Sequence, residues 1–157
     1  MTEDPLRAAL EAAHGALEEK LGVFLTALAR SDADTAGSSI VDFDAALRRY
    51  TEAKERWLYP PRESERLVPA EDETPEQALY RQLALEHVQL RELSGMLCRI
   101  IGEKSDIEGA RRLVGRLLGR WDGHSGRTMT EALPAAAGLS REARAAAARE
   151  IAPEWGL

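Results

Sequence analysis

A single cysteine, Cys98, leaves no possibility of an intrachain disulfide framework. No apolar run approaches the length of a membrane span. The opening residues Met-Thr-Glu-Asp-Pro are acidic and lack the apolar stretch of a secretory leader. The expectation is a cytoplasmic protein with no membrane partner. Hardly any stretch alternates apolar and polar residues with period two, so no sheet is expected. Basic residues are outnumbered, 21 Lys and Arg against 27 Asp and Glu, for a net charge of -6. That balance argues against a nucleic-acid partner, which usually demands a basic face. Arg111, Arg112, Arg116 and Arg120 form a basic stripe on one predicted helix, read as a solvated face. Also absent are a glycine-rich phosphate loop, a metalloprotease His-Glu pair at helical spacing, and a serine or cysteine with a base close in sequence.

What the chain does have is helix formers. Apolar residues make up 44% and charged residues 31%, with Ala, Leu, Glu and Arg dominant. A length of 157 residues suits one domain able to bury about two-thirds of its unfolded surface. Asp4 can cap a first helix from about Pro5 to Arg30, with Pro5 in the first helical position. "SDADTAGSS" reads as a turn-forming break. A second helix spans about Ser38 to Tyr59. A long acidic, proline-rich connection leads to Thr74-Pro75-Glu76-Gln77, which signals a helix start. The third helix runs to about Gly102, the fourth from Asp106 toward Leu133. Ser140 caps a short fifth helix that ends near Ile151. Apolar steps of three and four residues, joined by mostly short connections, predict an all-α protein. Its architecture reads as an up-down-up-down four-helix bundle over residues 5–134, with an extra C-terminal helix over 140–151.

The predicted seams carry polar residues in one layer. They are His14 on the first helix, Tyr50 and Lys54 on the second, His87 on the third, and His124 and Thr128 on the fourth. At about 1.5 Å rise per residue these positions fall at similar height near one end of a bundle. The three histidines are the only ones in the chain. Imidazoles from facing helices are a way for bundles to build iron, zinc or copper sites. Lys54 has two readings: a stem packed in the core with its ammonium reaching water, or a buried amine. In the second case Glu11, Glu55 or Glu86 could partner it, and a shifted register would turn Glu55 inward instead.

"LEAAHGALEEKL", "LRRYTEAKERWLYPP", "LALEHVQLRELSGML" and "RWDGHSGRTMTEALPAA", in this order, resemble the hemerythrin-like proteins, or HHE cation-binding domains. The resemblance covers roughly Leu6 to Pro134. It implies a four-helix bundle with a non-haem di-iron site, associated with oxygen, nitric oxide or iron binding, sensing and some peroxide chemistry. It assigns His14, His87 and His124 to metal and matches Glu55 to one family acid. Tyr50 stands where the family has a histidine, and Lys54 and Thr128 stand where it has carboxylates. Those exchanges remove about two negative charges and bring in an ammonium, so a normal di-iron centre is not expected.

The leading expectation is therefore a binding module holding one metal ion or a haem on His14, His87 and His124. Tyr50, Lys54 and Glu55 would flank it, and the task would be gas, redox or metal sensing. A second reading is a haem- or mononuclear-iron-dependent enzyme acting on peroxide or an N–O substrate. A third is a bundle with an empty site, used for protein contacts.

Overall fold

A computed structural model of the chain describes residues 4–59 and 68–152. The described residues are helical, with no strand among them. Helix α1 spans Pro5–Ala29, α2 Ala33–Trp57, α3 Pro75–Lys104, α4 Ile107–Arg127 and α5 Arg141–Ile151. Between α4 and α5 the chain continues through a π-helical turn, Thr128–Ala132, a short α-helical turn and a 3-10 turn. No described helix is long and apolar enough to cross a membrane.

Local chemistry sets these boundaries. The Asp4 carboxylate accepts from the Leu6 amide, with Pro5 in the first turn. Asp32 caps α2 through the Thr35 amide, five residues earlier than the turn-rich "SDADTAGSS" predicted. Only Arg30, Ser31 and Asp32 separate α1 from α2 in a tight reversal, with Ser31 at φ 55°. The residues after them are taken up by the helix because Ala36, Ser39 and Ile40 bury there. Thr74 and Gln77 make a reciprocal capping box at the start of α3. Ser140 caps α5 as expected. Pro60, which was to close α2, and Pro153, which was to end α5, lie outside the described residues.

The core is made by the predicted seams. Leu6, Leu10, Leu17, Leu21, Phe24 and Leu28 of α1 are buried, as are Ile40, Phe43 and Leu47 of α2. Leu83, Leu90 and Leu97 of α3 meet Val114, Leu117 and Trp121 of α4 in the same core. Helix α1 packs on α2, α2 on α3, α3 on α4, and α4 on α1; α5 lies against α1 and α2. An Arg144–Asp4 ion pair joins α5 to the cap of α1. A Cβ at Gly37 would meet Ile101 at 3.5 Å and one at Gly95 would meet Arg48 at 3.6 Å, both ordinary contacts, while Gly115 and Gly119 face open space.

Ser31 and Ser105 are the two described non-glycine positions with positive φ. Ser105, at the end of α3, adopts the left-handed conformation (φ 48°, ψ 35°), which glycine reaches without a Cβ penalty. The conformation holds because its amide bonds Ile101 and that of Asp106 bonds Ile100. Ser105→Gly should stabilise the fold by about 0.5–1 kcal/mol, after the entropy that glycine adds to the unfolded chain. Urea melts of the two proteins measure it, as a higher midpoint with unchanged slope.

Candidate functional site

Four helices bring the predicted polar layer together. Tyr50, Lys54, His87, His124 and Thr128 have no solvent exposure, and His14 is 8% exposed. The reading in which Lys54 reaches water is therefore corrected. Its position on α2 points along the seam between Tyr50 and Tyr59, and the core closes over it.

Lys54 sits at the centre of the layer. Its Nζ lies 2.7 Å from His124 Nε2 and 2.8 Å from Thr128 Oγ1. On the far side of the ring, His124 Nδ1 is 2.7 Å from Glu86 Oε1. Glu86 in turn accepts from Arg127 at 2.7 Å. A carboxylate can only accept, so His124 donates from Nδ1 and its Nε2 is left as an acceptor. The Thr128 hydroxyl donates to the His124 carbonyl at 3.0 Å, so its oxygen too accepts from Lys54. The result is a relay, Glu86 to His124 to Lys54, with Thr128 as second acceptor. The π-helical turn begins at Thr128, within one turn of His124. Such turns often occur at functional sites.

His14 pairs with Tyr50, which also meets Thr128 and Lys54. Its Nε2 is hydrogen-bonded to the Tyr50 hydroxyl, and Trp121 packs edge-on against both rings. His87 is different again. Neither of its ring nitrogens has a hydrogen-bond partner, and the Tyr59 hydroxyl and Trp57 indole nitrogen are likewise unpartnered. The His87 ring stacks on Tyr59 and meets His124 edge-on at a centroid distance of 4.7 Å. Glu55 Oε1 lies 3.4 Å from His87 Nδ1, but Glu55 is bound to Arg91. Of the three carboxylates proposed for Lys54, none contacts it: Glu11 pairs with Arg7 on the surface, Glu55 with Arg91, and Glu86 with His124.

Electrostatics follow from burial. Burial first, then the field of Lys54, pushes the His14 imidazole down to about 3. The same two causes hold His87 and His124 well below the ordinary histidine range, although Glu86 acts in the opposite direction on His124. Burial lowers Lys54 far from its ordinary 10.5, against the upward pull of Glu86 and Glu55. Burial raises Tyr50 and Tyr59. Glu86 is pushed up by burial, but the hydrogen bonds from His124 and Arg127 together bring it below the usual carboxylate value.

These residues do not fit a paired metal centre. Two of the three imidazoles direct Nε2 at Tyr50 and Lys54 rather than into a shared cavity. Lys54 occupies the middle of the layer, and among the described residues no three His, Cys, Asp or Glu side chains gather where they could hold a metal ion. The residues expected in one layer do come together, and Glu86, expected as a possible partner of Lys54, pairs with His124 instead; Arg127 and Tyr59 were not foreseen. Glu86 is next to His87 and one position off the apolar seam, the signal that could have pointed to a polar partner for the opposite helix. Comparison with protein-family models, curated proteins and solved structures finds no match for the chain.

The layer makes stability depend on pH with a definite sign. A histidine or lysine whose folded pKa is depressed binds fewer protons folded than unfolded, so stability rises with pH across the interval between the two values. For His14 that interval is about 3 to 6.5. For Lys54 it extends up to the ordinary 10.5. Stability should fall as pH drops below about 6.5, and it should still rise between pH 7 and 10 by up to about 1.4 kcal/mol per pH unit. Lys54→Met should lose the alkaline rise while keeping the acid fall, as read from urea melts at a series of pH values.

Proposed function

We propose that the chain is a hemerythrin-like, up-down-up-down four-helix bundle whose core site works through a lysine amine rather than a metal pair. In this reading Lys54 is uncharged at neutral pH and acts as a base or nucleophile toward a small bound molecule. The Glu86–His124 pair serves as its proton acceptor. The chain is then a lysine-dependent binding or catalytic module.

One observation carries this reading, the match between acceptors and hydrogens around Nζ. A neutral amine has two hydrogens, and two acceptors face it, His124 Nε2 and Thr128 Oγ1. An ammonium would have a third N–H, and no carboxylate pairs with Nζ among the described residues. The face of the Tyr50 ring, 4.7 Å away, is the remaining attraction for a charge. A cation–π contact supplies about 0.5–2 kcal/mol, less than the several kcal/mol needed to bury an ion. The balance favours the amine. The test is direct, because the chain has only three lysines, Lys20, Lys54 and Lys104. Nitrogen-15 NMR of the side chains at pH 7 should show one amine-type resonance, absent in Lys54→Met. Three ammonium-type resonances would overturn the reading.

A second reading has its own support in His87. An unpartnered buried polar group costs about 1–3 kcal/mol, so two free ring nitrogens point to a ligand that satisfies them. A single metal ion or a haem iron would accept one of them, and a gas or peroxide could then reach the metal. The purified protein's absorption spectrum and elemental analysis decide this reading. A Soret band lost in His87→Ala supports it; a blank spectrum with no metal removes it.

A further inference from the structure

The reactive amine has a defined set of neighbours, and they select a class of partner molecule. Resting on the amine reading above, we infer that Lys54 forms an imine with a small, uncharged aldehyde. The two hydrogens of the amine are directed at His124 and Thr128, which leaves the nitrogen lone pair unengaged. The walls beside it are the rings of Tyr50 and Tyr59, with Nζ 4.7 and 5.9 Å from their centroids. The Tyr59 hydroxyl is buried and without a partner, so it is a donor available to a carbonyl oxygen. Stacked on Tyr59, His87 brings two more unpartnered ring nitrogens to the same corner of the core.

Charge and size narrow the class. The nearby guanidinium groups are committed: Arg127 to Glu86, and Arg91 to Thr51 and Glu55. A keto acid or a phosphorylated sugar would bury an anion beside Glu86 and Glu55 with no free cation to meet it, at high cost. Lys54, Tyr50, His87 and His124 are closed to solvent, and Tyr59 is 2% exposed, which favours a molecule of a few heavy atoms.

The step balances without any further reagent. The Nζ lone pair forms a bond to the carbonyl carbon, and the carbonyl π electrons move to oxygen. One N–H proton passes to His124 Nε2, where the Glu86 carboxylate steadies the imidazolium, and from there to that oxygen, which gives the neutral carbinolamine. The second N–H proton passes to His124 in its turn and is delivered to the hydroxyl, so that the C–O bond breaks and water leaves. The electrons left on nitrogen close the C=N bond, and His124 is neutral again. Amine and aldehyde give imine and water, with no net change in protons or electrons. His124 acts directly on the reacting nitrogen, and Glu86 is a positioning residue behind it.

Reductive trapping tests the inference on the full chain. Propionaldehyde and sodium cyanoborohydride at pH 7, followed by peptide mass spectrometry, read the propylation rate at each lysine. Lys20 and Lys104 lie outside the site and give the unassisted rate. Lys54 should react about a hundredfold faster than either. Glu86→Gln should remove most of that advantage while leaving Lys20 and Lys104 unchanged, Glu86→Asp should restore part of it, and Tyr59→Phe should slow Lys54 alone. Label on Lys20 and Lys104 with none on Lys54 overturns the imine. If NMR of the same sample shows an uncharged Lys54, the amine reading survives that failure; if it shows an ammonium, both fall together.

Discussion

Everything in the polar layer depends on the cost of moving one amine out of water. Lys54 has no exposure, and burying its charged form is opposed by several kcal/mol. On the amine reading proposed above, the surrounding groups suit the uncharged form. Glu86 fixes the His124 tautomer from one side, so that Nε2 can accept from Lys54 on the other. Thr128 gives its own hydrogen to the backbone and turns its lone pair inward. Reverse either orientation and a donor would face a donor. The aromatic walls, the depressed imidazoles and the raised phenols all follow from the same low-dielectric enclosure.

The carboxylates nearest the layer, Glu55 and Glu86, face guanidinium groups or an imidazole rather than Lys54. Arg91 and Arg127 are partly exposed, at 22% and 41% of their side-chain surface, so these pairs lie toward the rim while the amine lies at the centre.

Most of the fold was legible in the sequence, and the site was legible as a layer. Steps of three and four residues marked the buried faces of α1 to α4, because burial of an apolar stripe is the main reason those helices pack. Leu79 and Trp57, near helix ends, are only partly buried, since a helix end meets fewer neighbours. The start of α2 was misread because Thr, Gly and Ser near a helix start satisfy both turn and helix chemistry; tertiary packing of Ala36 and Ile40 decided it. The three histidines fell at one height as predicted. What spacing could not convey was direction: which nitrogen of His124 faces Glu86, or that the amine of Lys54 would stay within the core. Those depend on side chains from other helices, which no single helical period encodes.

The π-helical turn at Thr128 sets a rule for insertions and deletions. The Leu133 amide bonds the Thr128 carbonyl five residues back, so this turn holds about one residue more than an α-turn. Each residue rotates an α-helix by about 100°, so the extra one resets the angular phase of everything after it. Leu133 and Ala136 reach the core with that phase. Loss of a single residue here would let the helix close into regular α geometry, yet it would swing the downstream apolar face toward solvent. The segment between His124 and Leu133 is therefore a place where length is under tighter constraint than residue type.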